Sequence, residues 1–177
     1  MATISMSTNS ASTSNNGGTG NKQLRGSLVT LQNDIDLADA ILQNGGTALA
    51  ANDIIEAIAV PANTMILYAG FKVVTAMAGT TTDSEFHVGI TGTDVDLFAA
   101  SFDLDGASAG AITPPAGLSS GVVANVPAFT ASADTIDVEI QASSGTITGG
   151  IIRVFAVCIL LDEVSQSSSA NEVDRDL

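Results

Sequence analysis

Apolar and polar positions alternate most strictly late in the chain. In TIDVEIQ, Thr135–Gln141, the positions Ile136, Val138 and Ile140 are separated by Asp137, Glu139 and Gln141. A period of two predicts a strand with one buried face and one wet face. The following ASSG supplies turn residues. After Gly149 and Gly150 comes IIRVFAVCILL, which is apolar at both parities and rich in β-branched residues. That composition predicts a central strand, with core on one side and a second covered surface, such as an oligomer interface, on the other. SEFHVGI, Ser84–Ile90, alternates as well, with Phe86, Val88 and Ile90 facing one way and Glu85, His87 and Gly89 the other. SSGVVANVPAFTA, Ser119–Ala131, is broken by Pro127. Proline lacks the N–H a ladder needs, so this stretch suits an edge strand.

The fold class turns on DIIEAIAVPANTMILYAGFKVV, Asp53–Val74. A helix through DIIEAIAV would end at Pro61 after about two turns, too short to hold without strong packing. PANT is turn chemistry, because proline fixes φ and asparagine tolerates the left-handed region. Beyond it MILYAGFKVVTAM is rich in β-branched and aromatic residues, and Gly70 suits a bulge or bend in a strand. Strand, turn, strand is the reading. Short strands separated by turn signals then fill the body, which predicts an all-β sandwich or barrel. One short helix is expected near DLADAILQNGG, Asp36–Gly46, stopped by Gly45 or Gly46.

Charge divides the 177 residues into three regions. Residues 1–21 contain 16 Ser, Thr, Asn or Gly and no charge, too little apolar surface to offset ordering entropy. With Lys22 and Arg25, residues 1–33 read as a flexible N-terminal arm carrying +2. Residues 34–163 read as the body. Its stretch 34–161 holds 14 acids against Lys72 and Arg153. Residues 164–177 read as a short, disordered, polar acidic tail. The net charge of −14 rests on only five Lys and Arg, which supply no basic patch for nucleic acid or an anionic membrane. No charged start followed by an apolar stretch marks a signal peptide, and no run approaches the roughly 18 apolar residues of a membrane span.

Candidate chemistry is sparse. GLSSG, Gly117–Gly121, matches G-x-S-x-G around Ser119, but two prolines precede it and the single histidine, His87, lies upstream. A nucleophile elbow needs a strand before the serine, a helix after it and a later histidine. His87 with Cys158 would make a thiolate pair only if the thiol left its apolar run VFAVCILL, so Cys158 is read as a buried structural thiol. One cysteine also excludes an intrachain disulfide. Asp94, Asp96, Asp103 and Asp105 cluster in GTDVDLFAASFDLDG and offer oxygen ligands for Ca²⁺, with Gly106 free to turn. Their spacing does not fit an EF-hand loop, and strand alternation explains DVD and DLD equally well. The expectation is therefore a protein with no cofactor, no assigned metal and no catalytic role.

Three segments carry a resemblance. DIIEAIAVPANTMI (Asp53–Ile66), AGTTTDSEF (Ala78–Phe86) and VGITGTDVDLFA (Val88–Ala99) resemble a strand–turn–strand, a Thr-rich loop and a "vGitG.D.D.f" stretch of tailed-bacteriophage virion structural proteins. ADTIDVEI and the closing RVFAVCILLDE extend the similarity over roughly residues 34–163. The resemblance implies a capsid cement or decoration protein on a jelly-roll-like β-sandwich, often a homotrimer. Its partners would be copies of itself and the major capsid protein. It also implies a place on the outer surface of the virion after assembly in the host cytoplasm, with the arm contacting neighbouring subunits. A tail- or fibre-associated module that binds a receptor or glycan is the alternative reading.

Overall fold

The computed structural model describes residues 3–5, 28–113 and 127–161. In chain order these are β1 (Thr3–Ser5), β2 (Leu28–Asp36), α1 (Leu37–Gln43), β3 (Ile54–Val60), β4 (Thr64–Gly79), β5 (Asp83–Ile90), β6 (Asp94–Asp103), β7 (Ala128–Thr130), β8 (Asp134–Ser144) and β9 (Ile147–Leu160). One sheet has the order β1-β3-β8-β5-β6 and the other β2-β9-β4-β7. Apart from the parallel β1–β3 pair, every pairing is antiparallel. From β2 onward each strand lies in the sheet opposite its predecessor, except for the β5–β6 pair. This is the order of an eight-stranded jelly roll, so the expected all-β sandwich is the fold.

The corner at PANT illustrates how the sequence makes this fold. β3 and β4 do not pair with each other but belong to different sheets. Asn63 takes φ 57°, which asparagine tolerates better than most residues. The Thr64 hydroxyl donates to the Pro61 carbonyl at 2.7 Å, and Leu161 N–H donates to the Asn63 carbonyl at 2.8 Å. Two strands across a turn is therefore right, and the turn is a crossing between sheets. The expected helix is α1. Asp36 caps it by accepting from Ala38 N–H at 2.8 Å, and Gly45 and Gly46 end it at positive φ.

Between the sheets lie the alternating apolar residues. Ile136, Val138 and Ile140 of β8 and Phe86 and Val88 of β5 face Phe71 and Val73 of β4 and Ile152, Val154 and Ala156 of β9, all at most 1% exposed. Phe71 ties the layers together, edge-on to Phe102 at 4.9 Å between centroids and to Phe86 at 6.3 Å. Asn33 of β2 donates to the carbonyl of Ala57, the residue at the β3 bulge.

Three local expectations change. Gly70 is not a bulge: it pairs with Phe155, and a Cβ there would collide with the Thr113 hydroxyl and crowd the Tyr68 hydroxyl. Close approach is what its missing side chain allows. The polar face of β8 is not wet, since Asp137 and Glu139 are 2% and 8% exposed. At Asp137 the reason is visible at neighbouring Gly89, where a Cβ would strike the backbone of Asp94 and Val95 because β6 begins across that face. Finally, β2 is laddered to β9 from Leu28, so residues 28–33 of the expected arm are sheet, and Thr3–Ser5 pair with β3. The remainder of that arm, the tail 164–177 and Ser119 lie outside the described residues.

Candidate functional site

The polar chemistry of the described residues collects on the five-stranded sheet. Its strands carry nine acids: Glu56, Asp83, Glu85, Asp94, Asp96, Asp103, Asp134, Asp137 and Glu139. They carry no lysine or arginine. β5 and β8 set His87 directly opposite Glu139, with His87 Nδ1 3.7 Å from Glu139 Oε2. β6 bulges at the same level, placing Ala100 and Ser101 against the single residue His87. Ser101 sits there at φ 49°, its hydroxyl 3.4 Å from His87 Nε2. Ser101, His87 and Glu139 thus follow one another in the order of an acyl-transfer relay. The two separations exceed the roughly 2.6–3.2 Å reach of a working proton relay. What the geometry provides is a cross-strand polar ladder, buried at His87 and Glu139 and exposed at Ser101.

Asp137 lies one step along the same face. Thr91 N–H donates to its Oδ2 at 2.9 Å, while Oδ1 is buried without a hydrogen-bond partner. Burial pushes this carboxyl above the ordinary aspartate range, against the opposing pull of hydrogen bonds from Thr91 and Thr135. The Asp137 carboxylate is consequently expensive to keep charged.

The four calcium candidates do not converge. Asp94 and Asp96 open β6, whereas Asp103 closes it and Asp105 follows in the turn. In the first pair, the neighbouring Asp96 carboxyl raises Asp94. In the second, a shared hydrogen bond raises Asp105 and lowers Asp103, which also accepts from Gly106 N–H at 3.2 Å. Among the described residues no three His, Cys, Asp or Glu side chains come together as a metal site. Asp94 does border an open depression of about 520 Å³ between Ile90 and Leu97 on one side and Phe129 and Thr130 on the other.

His87 and Cys158 are separated by the sandwich. Cys158 points into the core from β9, fully buried, and burial pushes its thiol up to about 11. The structural-thiol reading of Cys158 agrees with that placement. Sequence reasoning missed the His87–Glu139–Ser101 ladder. The parity of SEFHVGI and TIDVEIQ does put His87 and Glu139 on outward positions, but that β5 and β8 are neighbours is set by long-range topology.

The four-stranded sheet is different in kind. β4, β7 and β9 contain no acid, and the sheet's only acids, Asp34 and Asp36, lie on β2. Its cations are Lys72 and Arg153, paired across β4 and β9. Arg153 grips Asp34 with two bonds of 2.6 and 2.8 Å. Arg153 thereby holds the Asp34 carboxyl below the usual aspartate range. At the other end, register places Phe129, Met65, Ile159 and Leu28 in one row across all four strands. Phe129 is 57% and Leu28 65% exposed.

With this geometry in hand, the fold has solved counterparts. A chain of the cyanophage Pam1 capsid asymmetric unit superposes with a TM-score of 0.53 at 16% identity, covering 76% of this chain and 86% of that one. A chain of the capsid of Ralstonia phage GP4 gives 0.53 at 21% identity, covering 80% of this chain and 89% of that one. The likeness is one of fold. No protein-family model matches the sequence, and no curated protein does.

Proposed function

We propose that this chain is a structural protein of a bacteriophage virion, one that decorates and cements the capsid shell as a homo-oligomer, a homotrimer in its simplest form. The observation that carries this reading is the jelly-roll likeness to two phage capsid chains over at least three quarters of this chain. The sequence motifs at PANT and VGITGTDVD lead to the same class of protein independently. An acidic surface supports it further, because a charge of −14 keeps free subunits soluble and apart from nucleic acid until they dock. The polar arm contacts neighbouring shell subunits, and the body sits on the outer surface. The partner is the major capsid protein, and no reaction is catalysed.

The test uses particles with and without the protein. Sedimentation should carry the purified chain down with shells that lack it, and those shells should then withstand higher temperature. Protease should cut between residues 6 and 27 of the free protein several times faster than in the particle-bound protein. A chain that stays in the supernatant and leaves shell stability unchanged is not a cement protein.

A further inference from the structure

The N-terminal strand β1 is a plug in the side of the sandwich. It lies parallel on the outer edge of β3, pairing Thr3, Ile4 and Ser5 with Ile54, Ile55 and Glu56. Alternation turns Ile4 inward beside Ile55, and it joins the common core at 4% exposure while Thr3 stays exposed. Three residues hold the slot, and one side chain fills it.

The chain between plug and body is far longer than the gap it crosses. Ser5 pairs with Glu56, and the next residue of β3, Ala57, accepts from the Asn33 side chain of β2 at 3.0 Å. Leu28, where β2 begins, lies about 17 Å along the strand from Asn33. The direct path from Ser5 to Leu28 is therefore on the order of 20–25 Å, which about seven extended residues span. Residues 6–27 stand between them, with a full reach of about 75 Å. A body of roughly 130 residues is about 36 Å across, so that reach extends to the same edge of an adjoining copy.

Every copy carries the same plug and the same slot, so exchange keeps each contact and changes only the chain that supplies it. Plug and slot are different surfaces, which makes the transfer a head-to-tail contact, the kind that closes into rings such as the proposed trimer. Charge favours it as well. Residues 1–21 bear no charged side chain, and Lys22 and Arg25 follow them toward a sheet whose strands hold nine acids and no lysine or arginine. In dilute solution the tether favours a chain's own slot, and neighbours held side by side compete at similar effective concentration.

We infer that assembled copies of this chain exchange β1, Thr3–Ser5 of one filling the β3 edge of the next. This rests on the proposed homo-oligomer and names the contact through which its arm joins neighbouring copies.

Disulfide trapping in the full chain tests the exchange. One preparation carries Ser5→Cys, and the other carries Glu56→Cys with a C-terminal tag that changes its mass. Cα partners in a parallel ladder are about 4.8 Å apart, within disulfide reach. Neither variant can form this bond within its own chain, and the native Cys158 is fully buried. The two are mixed, oxidised gently and separated without reductant. At about 200 μM the mixed dimer should exceed either same-variant dimer at least tenfold, and at about 1 μM it should be scarce. Adding Ile4→Asp to the Ser5→Cys chain should cut the mixed product at least tenfold, whereas Ile4→Val should retain it. The mixed-dimer measurement needs no core substitution, so it decides the matter even where Ile4→Asp fails to fold. Same-variant dimers as abundant as the mixed one overturn the inference, as does an Ile4→Asp chain that couples equally well. So does a chain bearing both cysteines that closes its own disulfide at every concentration while the mixture gives no mixed dimer. Absence of exchange in a chain that still cements shells leaves the proposed function standing, and exchange in a chain that ignores shells does the reverse.

Discussion

The two sheets share one core and differ in nearly everything else. The five-stranded sheet concentrates acid and buries part of it: Asp137 and Glu139 are nearly inaccessible, and His87 beside them is 7% exposed. The four-stranded sheet keeps acid to one rim strand and leaves large apolar side chains half in water. Burying polar groups without full hydrogen bonding destabilises a fold. Exposing an apolar face leaves hydrophobic stabilisation unused until a partner arrives. Each sheet is suboptimal for an isolated monomer, in opposite ways. The contrast teaches that a jelly roll's interior can be settled by ordinary alternation while its two outer faces are free to specialise.

The most severe way to break the comparison is to remove the side chain that joins the sheets. Phe71 belongs to the four-stranded sheet, yet both of its aromatic partners, Phe86 and Phe102, belong to the five-stranded one. Phe71→Ala should destabilise the body by about 3–5 kcal/mol, read as a lower denaturant midpoint at unchanged slope. A loss below about 1 kcal/mol would mean that the sheets are held together elsewhere.

Much of this architecture is legible in the sequence, and the reasons are local. Period two and β-branched runs locate β3, β4, β5, β8 and β9. Pro127 marks the edge strand β7, which begins at Ala128, and Asp36 with Gly45 brackets α1. What escapes is whatever depends on a distant partner. Asp137 and Glu139 read as wet because carboxylates usually are, and only the passage of β6 across Gly89 reveals cover on that face. Gly70 reads as a bulge because nothing in the chain announces that Thr113 will approach it. Asp94, Asp96, Asp103 and Asp105 read as one cluster, but the residues between the pairs are extended strand, which holds them apart. The half-exposed face of β9 is the counterexample, since IIRVFAVCILL shows by composition alone that both faces want cover.

A middle-sized effect sharpens the acidic side. Burial raises the Asp137 carboxyl in the folded chain, so the folded state binds this proton more readily than the unfolded one. Its contribution is therefore most favourable below the ordinary aspartate value of about 3.9 and is lost as pH rises through the raised folded value. Asp137→Asn keeps an acceptor for Thr91 N–H and removes the charge. At pH 7 the variant should melt about 2–4 °C above the wild type, equivalent to about 1 kcal/mol for a chain of this size. The two should converge below about pH 4. A lower melting temperature at pH 7 would show that the ionised carboxylate is stabilised by a group outside the described contacts, and the burial of acid on this sheet would then need another explanation.

The smallest effect lies on the rim of the other sheet. The Asp34–Arg153 pair has good two-pronged geometry, but its side chains are 47% and 44% exposed, and solvent screening leaves such a pair little net stabilising effect. Because the hydrogen bond from Arg153 lowers Asp34 in the folded state, the contribution is present above the ordinary aspartate value and disappears as pH falls through the lowered one. Asp34→Asn should therefore cost about 1 °C at pH 7 and low salt, and nothing in 1 M NaCl. A loss that persists in 1 M NaCl would show that Asp34 stabilises the rim through something other than its ion pair with Arg153.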